Sequence, residues 1–269
     1  MTTTRTFVPL EEATKTCELH GDYLSTLLEL RPSEAPPELR QHWTNCPPCN
    51  DDWQAEADAT EAEMRDGALL KDELRRKAHE AAGIPKRFMA VTIFDWLHPM
   101  DKQRRVWTWV RDYCHAFHEA LETGRSMALI GQPGTGKTHL AIGVLAFVLK
   151  GGRTGRYTTA MDMLGRIKNT YNARAKETET EVIEDLATVD LLVIDELGKQ
   201  LDTNYESAQL FRIIDRRYRD MKPVVLVSNL DRAALAEFTG AAIIDRLTEN
   251  GGKVLGFGWA SHRSTRKST

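Results

Sequence analysis

The sequence predicts an α/β protein, a five-stranded parallel sheet covered by helices on both faces and preceded by a small metal-held segment. Three observations lead there. From residue 126 onward, short apolar runs suited to buried strands alternate with helical segments, the pattern of a parallel sheet with crossover helices. One strand-to-helix junction carries a phosphate-binding loop pattern. Two closely spaced cysteine and histidine pairs lie near the start of the chain.

The predicted strands are Ser126–Ile130, Arg156–Thr159, Asp190–Ile194, Pro223–Ser228 and Lys253–Phe257. Ligands in such sheets bind beyond the carboxyl ends of the strands. Ahead of the sheet, residues 101–122 read as one amphipathic helix, because Trp107, Val110, Cys114, Phe117 and Leu121 recur at three- and four-residue spacing. Cys114 lies on that stripe and reads as a core thiol. Asp51 to Ala82 is rich in Ala, Glu, Asp, Lys and Arg, and reads as a solvated helical linker that ends at Gly83-Ile-Pro85. The expected organisation is a zinc-binding segment over 1–50, a helical linker over 51–85 and a nucleotide-binding domain over 86–269.

Charge supports a division of labour. The net charge of −3 hides an acidic front, residues 1–66 with 5 Lys+Arg against 14 Asp+Glu, and a basic remainder, which is where nucleic acid would sit. The N-terminus lacks the apolar core of a signal peptide, and the longest apolar run, Leu140 to Leu149, is too short to cross a bilayer. The expected location is the cytoplasm, where 4 cysteines point to metal or thiols rather than disulfides.

Gly131-Gln-Pro-Gly-Thr-Gly-Lys-Thr138 fits G-x-x-x-x-G-K-S/T at every fixed position. Gly131, Gly134 and Gly136 let the backbone curl so that several N–H groups face one anion. Lys137 adds a mobile positive charge for the β- and γ-phosphates, and Thr138 offers a hydroxyl to Mg²⁺. The helix that follows turns its positive end to the phosphates. Leu191-Leu-Val-Ile-Asp-Glu-Leu197 is an apolar strand ending in two carboxylates. After a phosphate loop, Asp195 suits the Mg²⁺ shell, and Glu196 suits orienting and deprotonating the attacking water. Asn229 follows the next strand and could bond that water or the γ-phosphate; a plain strand-end cap is the simpler alternative. Arg246 could reach the γ-phosphate held by a neighbouring subunit, with a structural salt bridge as its alternative. Arg263 is a second candidate for nucleotide contact.

Near the start, Cys17-Glu-Leu-His20 and Cys46-Pro-Pro-Cys49 each place two donors within reach of one ion. Together they predict a structural zinc site of Cys17, His20, Cys46 and Cys49. Four protein ligands would leave no open position for chemistry, and metal would stabilise a segment too small for its own core. Buried thiols, or a redox pair at Cys46 and Cys49, are the alternatives.

Taken together, the phosphate loop, the strand Val189 to Gly198, Ser228-Asn229, Asp245-Arg246 and Ser261-His-Arg263 resemble the DnaC/IstB branch of the AAA+ ATPases, and within it the bacterial helicase loaders and their phage relatives. The resemblance covers roughly residues 84–265. It implies an AAA+ ATPase binding MgATP through Gly131, Pro133, Gly134, Thr135, Gly136, Lys137, Thr138, His139 and Arg263. It implies Asp195, Glu196 and Asn229 as hydrolytic residues, with Arg246 as a finger serving the next subunit of a spiral of about six. Ile167-Lys-Asn-Thr-Tyr171 matches the extra helix of initiators and loaders. Tyr171, Thr203 and Tyr205 fall where single-stranded DNA would be touched, and Lys168 supplies charge for its backbone. Ala242 stands where the loaders place an additional arginine. The zinc-bearing front is similar to that of phage-encoded relatives. The implied activity is the ATP-dependent loading of a DnaB-type replicative helicase onto single-stranded DNA. The rivals are an IstB-like transposition ATPase and a non-hydrolysing, ATP-gated DNA-binding adaptor.

Overall fold

The computed structural model describes residues 6–31, 41–44, 46–97, 99–198 and 203–262. It resolves two compact units, Met1–Asp72 and Glu73–Thr269.

The first unit is built on a three-stranded antiparallel sheet, β1 (Thr6–Cys17), β2 (Gly21–Arg31) and β3 (Gln41–Trp43), in that order. Sequence reasoning assigned this stretch to metal knuckles and did not anticipate the strands. The β1–β2 hairpin closes at the Cys17 and Gly21 pair, with Gly21 in the left-handed region at φ 78°. A register shift between Pro9 and Glu11 adds one residue to β1. Proline has no N–H for the ladder, so an irregularity is a favourable place for it. The helix α1 (Pro47–Ala81) runs from the first unit into the second. Its start carries two prolines in the first turn, where their missing N–H groups cost nothing. Its last turns hold surface pairs Lys77–Glu73 and Arg76–Glu80 at 2.8 and 2.7 Å.

The second unit has a five-stranded parallel sheet in the order β5 (Gly155–Thr159), β6 (Leu191–Leu197), β7 (Val224–Ser228), β4 (Met127–Gly131), β8 (Lys253–Phe257). Every strand expected from the sequence is present. The chain leaves β4, crosses to the far edge at β5, and returns through β6 and β7. That crossing opens a crevice beyond the strand ends.

Each face of the sheet carries its own core. One packs α4 (Lys137–Lys150) with α2 (Asp101–His115) and α3 (Phe117–Thr123). The other packs α5 (Ala160–Asn169), α6 (Glu179–Thr188), α7 (Thr203–Arg219), α8 (Arg232–Thr239) and α9 (Ala241–Thr248). Helix α4 buries Leu140, Ala141, Ile142, Val144, Leu145, Ala146 and Val148, as expected of an apolar helix in the middle of a layer. The single helix expected over 101–122 is two, broken where Ala116 leaves helical dihedrals at φ −97°, ψ 27°. The Ala116 N–H still bonds Asp112 O at 3.0 Å, so the stripe keeps facing inward and Val110, Cys114 and Phe117 are all buried. Burial pushes the Cys114 thiol up to about 12, as befits a core group.

Arg217 of α7 is fully buried and staples the second core. Its guanidinium donates to Leu186 O at 2.8 Å, Ala187 O at 3.0 Å and Pro223 O at 2.6 Å. Two of these carbonyls belong to the C-terminal end of α6, where a cation also meets the negative end of the helix dipole.

Candidate nucleotide and metal sites

The phosphate loop leaves the tip of β4 and enters α4. Its glycines adopt conformations that other residues rarely take: Gly131, Gly134 and Gly136 have φ of 129°, 79° and 95°. At two of them a side chain also has no room. A Cβ on Gly131 would lie 2.6 Å from Phe257 O, and one on Gly136 would lie 2.5 Å from Trp96 Nε1.

Three successive carbonyls of the loop are held from outside. Gly134 O accepts the His262 N–H at 2.9 Å, Thr135 O accepts the Trp259 indole N–H at 3.0 Å, and Gly136 O accepts the Trp96 indole N–H at 3.1 Å. The two indoles pack with Phe257, ring centres 4.8–5.9 Å apart. Binding the carbonyls outward leaves loop N–H groups to face inward, which is what an anion requires. The sequence offered no sign of the Trp96 contact. Trp259 lies just ahead of the matched Ser261-His-Arg263 run, yet nothing local showed that it would reach the loop.

Lys137 is buried, and its ammonium donates to Gly131 O at 2.6 Å and Gln132 O at 2.8 Å. Burial lowers it to about 8 against the opposing pull of Asp195. Thr138 donates to Asp195 Oδ2 at 2.8 Å, joining the loop to the tip of β6. The same oxygen accepts Tyr157 OH at 3.0 Å, and Asp195 Oδ1 accepts the Glu196 N–H at 2.7 Å. Thr138 and Asp195 thus form the oxygen-rich pair that a hard cation such as Mg²⁺ favours.

Asp195 and Glu196 are neighbours on a strand, so regular pleating would send them to opposite faces. Instead both line one cavity of about 670 Å³ with Lys137, Thr138 and Asn229. Two features bring this about. The β6–β7 ladder shifts register between Ile194 and Leu197, and Glu196 sits in the left-handed region at φ 61°. A non-glycine residue held there marks stored backbone strain, and such strain gathers at functional sites. Ser228 secures the adjoining strand ends by donating to Leu197 O at 2.8 Å. Pro133, Gly134, Gly136, His139 and His262 line the cavity too, as do Arg87, Phe88, Asp95 and Trp96 from the segment before α2. His139 Nε2 is buried with no hydrogen-bond partner among the described residues, and burial lowers the ring's affinity for a proton. Thr135, within the loop, is fully buried.

Arg246 is not part of this cavity. Its guanidinium pairs with Asp215 at 2.7 Å and lies over the rings of Phe211 and Tyr218 at 4.8 and 5.1 Å. The salt bridge named as its alternative is therefore formed within the chain. Arg263 lies outside the described residues.

A second cluster joins residues distant in sequence. Tyr171, just past α5, and Tyr205 of α7 bring their hydroxyls to 3.3 Å, and the Lys168 ammonium lies 5.3 Å from the Tyr205 ring centre. Tyr171 is 60% exposed and donates to Glu179 at 2.7 Å. The Thr203 side chain is outside the described residues. A cavity of about 410 Å³ in the loop after α5 is lined by Arg166, Arg174 and Lys176.

In the first unit, the hairpin turn and the start of α1 gather Cys17, His20 and Cys46. Their donor atoms all lie within 4.8 Å of one another. His20 Nδ1 is 3.7 Å from Cys17 Sγ and 3.6 Å from Cys46 Sγ. Tetrahedral zinc, with bonds of ~2.3 Å to sulfur and ~2.0 Å to nitrogen, would set S···N at about 3.6 Å. These three residues fit the ion. The Cys49 side chain is outside the described residues.

The comparisons with known proteins agree with this geometry. A family described as IstB-like ATP binding protein matches residues 90–269. The chain is 31% identical over 182 residues to the replicative helicase loader DnaC of Buchnera aphidicola subsp. Acyrthosiphon pisum, covering 68% of this chain and 73% of that one. It is 37% identical over 146 residues to the uncharacterized protein YdaV of Escherichia coli K12, covering 54% and 58%. Among solved structures, the crystal structure of the DnaC helicase loader superposes with a TM-score of 0.56 at 25% identity, covering 64% of this chain and 99% of that one. A phosphate loop tied by a threonine to an acidic strand tip, on an AAA+ sheet with these relatives, makes this chain a member of the IstB/DnaC family of ATP-binding proteins.

Proposed function

We propose that this protein is an ATP-driven helicase loader. It binds MgATP and single-stranded DNA, engages a DnaB-type replicative helicase, and releases it around hydrolysis. The observation that carries the reading is the meeting of Lys137, Thr138, Asp195 and Glu196 around one cavity. A carboxylate pair beside a phosphate loop suits a hydrolase better than a passive adaptor.

In this reading the loop amides and Lys137 hold the β- and γ-phosphates. Lys137 exchanges its contacts with Gly131 O and Gln132 O for phosphate oxygens, a stronger charge-assisted pairing. Mg²⁺, held by Thr138 with Asp195 behind it, would neutralise developing charge on the phosphates. Glu196 orients and deprotonates the attacking water, and Asn229 bonds that water or the γ-phosphate. Arg246 leaves Asp215 to serve a neighbouring subunit's nucleotide in a spiral assembly, so an isolated chain turns over slowly. Arg263 adds a contact in the same chain. Tyr171 and Tyr205 supply stacking faces, and Lys168, Thr203, Arg174 and Lys176 contact the DNA backbone. The zinc-held front, over 1–50, serves as the grip on the helicase and 51–85 as its linker.

The test is ATP turnover with and without short single strands, together with capture of the host's replicative helicase by the full chain. Strand-stimulated turnover and helicase capture are the expected results. Preference for duplex DNA, with no helicase captured, would favour a transposition ATPase, the reading that the IstB-like family description supports. Binding of ATP with no turnover under any condition would leave only the adaptor.

A further inference from the structure

The Asp195 carboxylate is held from three sides, and one of the holders has no part in the roles above. Tyr157 sits on β5, and its ring belongs to the core beneath α4. Phenylalanine would fill that space equally well. A hydroxyl in a core costs free energy unless it is bonded, so its presence asks for a reason. Its partner is Asp195 Oδ2, 3.0 Å away.

We propose that Tyr157 is a positioning residue for the divalent cation: its buried phenol holds Asp195 against Thr138, so that the threonine hydroxyl turns its lone pairs to the ion. This rests on the nucleotide-hydrolysis reading of the site. Thr138 spends its single proton on Asp195 Oδ2, at 2.8 Å, which leaves its oxygen free to accept a cation. That works only while Oδ2 stays in place. The Glu196 N–H pins Oδ1 at 2.7 Å, and Tyr157 pins Oδ2. Together they fix the carboxylate rotation that Thr138 alone could not.

Tyr157 is itself firmly seated. Its N–H bonds Ala82 O at 2.7 Å, and Gly83 presses so close that a Cβ there would lie 2.8 Å from Tyr157 O. An edge strand is thus clamped on its outer side, and the phenol has a defined place from which to donate. Partners one step removed from the ion commonly set metal affinity by orienting those that touch it.

The experiment measures Mn²⁺ binding by electron paramagnetic resonance in the presence of ATPγS, for the full chain and for Tyr157→Phe, Asp195→Asn and the double variant. Nucleotide affinity in EDTA and the melting temperature are read alongside. Tyr157→Phe is expected to weaken Mn²⁺ about tenfold, with metal-free nucleotide affinity unchanged. In the Asp195→Asn background the same change is expected to cost nothing further, because Tyr157 acts through Asp195. A Tyr157→Phe variant that melts lower yet binds Mn²⁺ like the parent would reduce Tyr157 to a packing residue and overturn the proposal. So would equal Mn²⁺ losses in both backgrounds. If the parent chain binds no nucleotide with Mn²⁺ present, it is the underlying reading of the site that falls, and this shows before any variant is compared.

Discussion

The two tryptophans that brace the phosphate loop are the same residue type in the same cluster, yet they are expected to differ in importance. Trp259→Phe and Trp96→Phe each keep an aromatic ring and lose one N–H. Gly136 O, the acceptor for Trp96, also accepts the Leu140 N–H at 3.0 Å, so it stays satisfied in the variant. Thr135 O, the acceptor for Trp259, has no other donor among the described residues and belongs to a fully buried residue. Removing one of two donors costs about 0.5–1.5 kcal/mol, whereas orphaning a buried carbonyl costs about 1–3 kcal/mol. The loss of ring volume is common to both and cancels in the comparison. The expected difference is therefore about 0.5–1.5 kcal/mol, or ~1–6 °C in melting temperature for a unit of this size. Because the orphaned carbonyl would turn inward to find a partner, the loop amides lose their common aim, and Trp259→Phe should also weaken ATP binding by roughly tenfold. Thermal melting and titration with a fluorescent ATP analogue measure both effects. Equal losses for the two variants would refute the account, since it would mean that bulk packing rather than carbonyl orientation holds the loop.

Four further predictions follow from the same geometry. Lys137, lowered to about 8 in the folded chain from an ordinary value of ~10.4, binds fewer protons folded than unfolded between those limits. Its burial therefore costs stability below about pH 8 and the cost is relieved as pH rises toward ~10.4. Bound triphosphate removes the same cost, so the thermal stabilisation given by ATP should shrink between pH 7 and pH 9.5, and the shrinkage should vanish in Lys137→Ala. Glu196→Gly should abolish turnover yet melt higher than Glu196→Gln, by about 1 kcal/mol of relieved backbone strain; equal melting would deny that φ 61° is strained. Arg246→Ala should retain ATP binding and lose strand-stimulated turnover, while unchanged turnover would end the assignment to a neighbouring subunit. Cys46→Ser should lose bound zinc and helicase capture with nucleotide affinity intact, and one metal equivalent in the variant would remove the zinc site.

How much of this was legible beforehand can be judged residue by residue. The phosphate loop and the acidic strand tip were readable because their chemistry is local: backbone curvature needs glycine at set positions, and a buried strand needs an unbroken apolar run. Cys114 was readable for the same reason, since helical spacing alone placed it inward. The hairpin of β1 and β2 was not, because its strands mix apolar and charged residues without clean alternation and β1 buries none of its residues. Nor was the break at Ala116, since both halves keep the same buried stripe.

Local residue patterns already specify a parallel sheet, a phosphate loop, and an Asp-Glu strand end some distance beyond it. They also place pairs of metal donors at a spacing that one ion can bridge. That Asp195 and Glu196 face one cavity depends on a register shift against β7, which no residue in β6 announces. The fold also brings Trp96 and Trp259 to the loop from 40 and 124 positions away, and Tyr157 to Asp195 across 38. The reason is physical: a motif specifies its own backbone, but the partners of its carbonyls and carboxylates are chosen by which strands lie side by side, and strand order is a property of the whole sheet.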